Sequence, residues 1–161
     1  MRFIDAAKVE KIRIETISGE GVEQIKNNDC LPSTMEYEDK IHGIHDTSQD
    51  YYRNLAGGNG DTDPIYIDKF AEKLSETGRH AEIIAPSRLN VLVKAIKNND
   101  GIIVSTQNHA LAVKAIVFKN ITKLSGKFIH RTLFEVMDPA SGFFKTISSK
   151  SLKSAIIIDY H

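Results

Sequence analysis

The stretch Gln24-Ile25-Lys26-Asn27-Asn28-Asp29-Cys30-Leu31-Pro32, continuing through Ser33 to Gly43, decides how this chain is read. Cys30 is the single cysteine among 161 residues, and it falls where a helix is expected to begin. The residues Leu31 to His42 permit that helix, with Asp29 or Cys30 near the cap. Pro32 sits in the first turn, where its missing N–H is tolerated, and Gly43 is a natural stop. At a helix start the free N–H groups and the positive end of the dipole favour a thiolate. The polar neighbours Asn27, Asn28 and Asp29 argue against a thiol that merely fills core space. Gln24, six residues upstream, carries an amide that can reach back over the same spot as a donor.

Two later residues complete a constellation. His109 directly precedes a long apolar run, and of the six histidines it alone does so. Its neighbours Ala110 and Ala112 are small and are expected to leave room for a substrate. Asp138-Pro139 ends another apolar run, with Glu135 and Asp159 as competing carboxylates. Thiol, imidazole and carboxylate in that order, with an upstream amide, are the parts of a nucleophilic acyl-transfer site. In that reading Cys30 is the nucleophile, His109 the general base and Asp138 the group that orients the imidazole. Gln24 and the Cys30 backbone N–H hold the developing oxyanion. Each residue also has a plainer reading: a small buried hydrophobe, a satisfied core histidine, a turn-opening Asp-Pro and a surface glutamine.

Composition sets the outer limits. A length of 161 residues suits one domain, 1–161, with a sizeable core. The 41% hydrophobic and 26% charged content are those of an ordinary globular chain. Lysine plus arginine equals aspartate plus glutamate at 21 each, which argues against a dedicated nucleic-acid binder. One cysteine excludes an internal disulfide and any multi-cysteine metal site. His42 and His45, three apart across a glycine, are weak as metal ligands and are expected to be solvated. No apolar signal core opens the chain and no run is long enough for a membrane helix. A cytoplasmic chain, one exported without a cleavable signal, or a piece of a longer protein is expected.

Periodicity orders the rest. Weak alternation over 1–22 reads as a strand or two, and 45–63 as a polar loop containing Gly57-Gly-Asn-Gly-Asp61. That loop matches neither nucleotide-binding glycine motif, since it follows no strand and lacks Lys-Ser/Thr. Pro64 opens a helix to Gly78 with Ile67, Phe70, Ala71 and Leu74 on one face. Another helix is expected over 87–98 with Ser87 as cap. Strands follow at 101–105, 110–118, 132–137 and 155–158, with 119–131 as an elaborated hairpin. Helices first and an antiparallel sheet second give an α+β domain of two layers.

Taken together, these residues resemble the papain-like cysteine peptidases, in particular the bacterial double-glycine peptidases that trim leader peptides. Asp29-Cys30-Leu31-Pro32 and its helix resemble the family's nucleophile segment, and its upstream glutamine falls on Gln24. Asn108-His109-Ala-Leu-Ala-Val113 resembles its histidine strand. Asp138-Pro139-Ala-Ser-Gly142 resembles its Asp-Pro-x-x-Gly turn, and Ser148 to Leu152 its polar turn into a last segment. Three departures stand out: Leu31 in a glycine position, a highly charged helix interior from Met35 to Lys40, and a long His-to-Asp separation. The resemblance implies a papain-like fold with N-terminal helices packed on a C-terminal antiparallel sheet. It implies a Cys-His-Asp triad acting on a peptide or protein amide through a thioester, with no cofactor and no metal. The same apparatus can deamidate glutamine, a decayed member of the fold can grip peptides without catalysis, and a bacterial toxin or effector role is compatible by analogy.

Overall fold

The computed structural model describes residues 6–56, 67–107 and 109–161. The Gly57–Asp61 loop, the Pro64 helix start and Asn108 lie outside them. In chain order the elements are β1 (Ala6–Glu15), α1 (Cys30–Ile41), α2 (Gln49–Ala56), α3 (Ile67–Glu76), β2 (Ala81–Ile84) and α4 (Leu89–Lys97). Then come β3 (Gly101–Ser105), β4 (Ala110–Lys123), β5 (Phe128–Asp138), β6 (Phe143–Ser148) and β7 (Ser154–Ile158), with a 3₁₀ turn at Ser149–Ser151. The strands form one antiparallel sheet of order β2-β7-β3-β4-β5-β6, and β1 pairs with the far half of β4.

The arrangement is α+β, but it has three layers rather than the expected two. The reason lies in strands that are apolar on both faces. Ile102, Ile103 and Val104 are all fully buried, which requires cover above and below. On one face Ile102, Val104, Leu111, Val113 and Ile116 pack with Leu92, Ala95 and Ile96 of α4. On the other, Ile103, Ala110, Ile156 and Ile158 pack with Leu31 and Met35 of α1, Tyr52 of α2 and Phe70 of α3. No helix among the described residues is long and apolar enough to cross a membrane.

Three local expectations are corrected. The polar stretch after His45 contains α2, whose buried face is Gln49, Tyr52 and Arg53. That face is closed by hydrogen bonds, so it carries little apolar periodicity. Gln49 takes the Ile25 N–H at 2.9 Å and donates to the Glu23 carbonyl at 2.9 Å. The helix read from Ser87 begins at Leu89 with Arg88 as cap, and no side chain caps it. Strands β2 and β6 were unread, since each is short and largely exposed on the sheet's two edges.

Candidate active site

Cys30 is the first residue of α1 and is partly exposed. Asp29, the cap, offers its carbonyl to the Ser33 N–H at 2.8 Å, while its side chain is turned elsewhere. That carboxylate is wholly buried and takes both guanidinium arms of Arg53, with Nε at 2.8 Å. The start of α1, which carries Cys30, is therefore tied to α2 by a bidentate ion pair.

The sheet supplies the other two groups. His109 closes the turn between β3 and β4, its carbonyl taking the Thr106 N–H at 2.9 Å. Antiparallel pairing of Ala112 with Met137 sets the start of β4 beside the end of β5, where Asp138 stands. His109 Nε2 and Asp138 Oδ1 lie 2.6 Å apart. Cys30 lies close enough to the same imidazole to be the largest influence on its pKa. The structure thus brings Cys30, His109 and Asp138 together. Glu135 is instead held by Arg13 at 2.8 Å, and Asp159 sits beside Asp100 and His161.

Electrostatics follow from these contacts. The hydrogen bond to Cys30 raises the pKa of His109, burial works against it, and the Asp138 hydrogen bond raises it further. For Asp138 burial pushes upward, but Lys145, His109 and the Ala140 N–H together outweigh it and hold the pKa at about 2. Lys145 Nζ lies 2.8 Å from Asp138 Oδ2. Lys145 was missed in the sequence because β6 was not recognised as a strand.

The Asp138 turn depends on glycine. Gly142 has φ +76° and donates its N–H to the Asp138 carbonyl at 2.7 Å, a conformation that L side chains rarely adopt. Its backbone abuts Gly21, where an added Cβ would stand 1.7 Å from the Gly142 oxygen. Gln24 is fastened to the same turn by its N–H to the Pro139 carbonyl at 2.7 Å. Its side-chain amide donates to Lys26 O at 3.0 Å and Asn27 O at 2.8 Å, so both donors are engaged within their own loop.

Several expectations change in detail. Ala110 and Ala112 are buried under α1, so their small size admits the helix rather than a substrate. Leu31 is fully buried among core side chains, and does not crowd the face beside Cys30. The charged interior of α1 is buried with dedicated partners. Asp39 accepts from Tyr52, from Tyr160 at 2.6 Å and from Arg79 at 2.8 Å. Glu38 beside it is pushed well above the usual carboxylate range, by burial first and by Asp39 second. His42 is not solvated: it stacks on Tyr160 at 3.9 Å, and its ring nitrogens meet the Glu38 and Asn99 carbonyls. Among the described residues Asp100, Asp159 and His161 set one donor atom each within 4.8 Å of one another. They line a hollow of about 480 Å³ that does not include Cys30, His109 or Asp138.

No protein-family profile matches the chain, and no curated protein does. Among solved structures it is similar to the peptidase domain of Streptococcus ComA, described as a bi-functional ABC transporter involved in quorum sensing. That likeness has 18% identity and a TM-score of 0.59, over 88% of this chain and 98% of the other. A double glycine motif protease from an AMS/PCAT transporter, solved with its leader peptide, shows 15% identity and a TM-score of 0.54, over 91% and 96%. UfSP from C. elegans shows 10% identity and a TM-score of 0.58, over 96% of this chain but 38% of that longer one. Helices, antiparallel sheet and these likenesses agree on one architecture: the chain has the papain-like cysteine peptidase fold.

Proposed function

We propose that this chain is a cysteine hydrolase that acts on a peptide or protein amide. What supports the reading is His109 paired with the Asp138 carboxylate at 2.6 Å, with Cys30 at the start of α1 as the largest influence on the imidazole. Cys30 Sγ attacks the amide carbonyl, and the π electrons move onto oxygen. His109 then gives its proton to the departing nitrogen, leaving a thioester on Cys30. Water, deprotonated by His109, adds to the thioester and releases the acid and the thiol. Asp138 keeps the imidazole oriented and stabilises its charged form.

The oxyanion falls at the start of α1, where the first backbone N–H groups have no partner within the helix. Gln24 joins as a second donor by releasing one of its two loop carbonyls. A leader-peptide protease among the similar structures supports a peptide substrate. The test pairs covalent labelling with turnover. Iodoacetamide modifies Cys30 readily near pH 6 in the wild type and much more slowly in His109→Ala. Cys30→Ala loses essentially all turnover on a peptide library while retaining substrate affinity, because a nucleophile acts on chemistry more than on ground-state binding. Release of ammonia in place of a new amino terminus would identify a deamidase. Equal labelling of wild type and His109→Ala, with peptide binding and no product, would identify a binding module.

A further inference from the structure

The sheet face that carries α1 does not end where the helix ends. Along β4 the α1-side positions are Ala110 and Ala112 and then, past an irregularity at Val113/Ala115, Ala115, Val117, Lys119, Ile121 and Lys123. Register places Lys11 of β1 and Arg131 of β5 directly opposite Lys119, one on each side. Like charges directly opposite one another across strands repel, and this row sets three cations side by side. Lys123 and Lys127 continue the basic character at the hairpin end. Among the described residues no carboxylate lies within 4 Å of the amino or guanidinium groups of these five. The acids on that face, Glu15 and Glu135, are both engaged by Arg13.

The charge is local. From Ala110 to Lys153 the chain carries eight lysines and arginines against two acids, although the whole chain is neutral. Between the basic rows lies an apolar one, Val9 opposite Ile121 opposite Ile129. Val9 is 51% exposed, so among the described residues no helix closes over this end. Arg131 and Leu133 also line a hollow of about 370 Å³ with Ser148, Ser149 and Lys150.

We propose that this bare continuation of the α1-side face is an exosite that docks an acidic stretch of the polypeptide substrate, a reading that rests on the peptidase function proposed above. An extended peptide lying along the strands turns every second side chain toward the sheet, at a spacing of about 6.7 Å. Rows of cation, apolar and cation at the same spacing fit an acid-x-apolar-x-acid pattern. A polyphosphate backbone has no counterpart for the apolar row. From Ala112, under α1, to Lys119 is about 23 Å along the strand. A substrate engaged at both places spans that distance with roughly seven extended residues. The exosite therefore adds affinity and selects substrates with an acidic segment well separated from the bond attacked.

The experiment measures fluorescence anisotropy of a labelled peptide repeating Glu-Ser-Leu-Ser, titrated with the full chain. The wild type is expected to bind it, and Lys119→Glu with Arg131→Glu to weaken binding by about tenfold or more. Lys119→Ala weakens it less. Lys8→Glu, on the opposite face of the same ribbon, leaves it within about twofold. Absence of wild-type binding overturns the proposal, as does equal loss in Lys119→Glu and Lys8→Glu. Tighter capture of a single-stranded oligonucleotide of matched charge, or of phosphatidylserine vesicles, overturns it in favour of those partners. Thermal melts of each variant separate lost docking from lost folding. Iodoacetamide labelling of Cys30 is run in parallel and stays at the wild-type rate in the ribbon variants. Failure of that labelling in the wild type would count against the hydrolase and not against the docking surface.

Discussion

His109 is asked to keep a proton that burial alone would remove. Burial lowers its pKa, and the hydrogen bonds with Cys30 and Asp138 more than offset this. The Cys30 contribution is the largest, so the proton is held chiefly by the sulfur partner. Asp138 contributes as an anion, and its pKa of about 2 keeps it ionised through the whole working range. Because the imidazole's pKa is raised, a charged ring able to protonate a leaving group persists above the ordinary histidine value of about 6.5 and is lost only as pH rises through the elevated one. Asp138→Asn removes one raising contribution and leaves the larger. The alkaline limb of its kcat/KM profile should therefore move down toward the ordinary value without vanishing. Its activity should exceed that of His109→Ala, since an orienting group is less indispensable than the base. An unchanged limb in Asp138→Asn would show that the carboxylate has no hold on the proton. For folding the sign runs oppositely at this carboxylate: the stability it contributes is present above about pH 3.8 and is lost as pH falls toward 2.

At the scale of elements, α1 is positioned by polar contacts that hydrophobic pattern does not reveal. Its start is gripped by Arg53 from α2, and its middle by Tyr52, Tyr160 and Arg79 on Asp39. Sequence reading found α1, α3 and α4 because each shows an apolar face or clear start and stop signals. It missed α2 because the buried side is Gln49, Tyr52 and Arg53, and the partners of Gln49 and Arg53 lie 24 to 26 residues away on Ile25, Glu23 and Asp29. The proposed triad stands out for the opposite reason. Cys30, His109 and Asp138 each sit at the end of an element, where punctuation is strong, whereas Lys145 lies within an exposed edge strand and carries no such mark. The Asp29–Arg53 pair is a sharp place to test this polar anchoring. Arg53→Ala leaves a buried carboxylate without its partner, an error that costs about 3 to 5 kcal/mol. Urea denaturation should show that loss, and Asp29→Asn combined with Arg53→Ala should recover part of it because the stranded charge is gone. A double variant no more stable than Arg53→Ala alone would mean that packing of the long side chain, rather than the charge, is what matters.

The molecule as a whole is a sheet packed on both faces, and Cys30 adjoins the buried cluster on only one of them. The expected two-layer reading counted the helices correctly as a class but put them on one side, because sequence order says nothing about which face a helix takes. Two covered faces are implied by Ile102-Ile103-Val104, three consecutive buried residues that cannot all point one way in a strand. On the α4 side the packing of Leu92 against Ile102, Val104 and Leu111 supports the sheet from behind. On the α1 side Leu31 adjoins Cys30 and packs with Met35, Phe70, Ile103 and Ala110. Both leucines are fully buried, so Leu92→Ala and Leu31→Ala should each cost about 2 to 5 kcal/mol of stability. Their effects on the thiol should part. Leu92→Ala leaves the α1–β4–β5 junction intact, so Cys30 alkylation near pH 6 should proceed at the wild-type rate under native conditions. Leu31→Ala opens a cavity beneath the first turn of α1 and lets the sulfur drift from the imidazole, so alkylation should slow. Equal slowing in both variants would show that the sheet transmits packing changes from one core to the other, and that the site depends on the whole stack rather than on the layer that holds it.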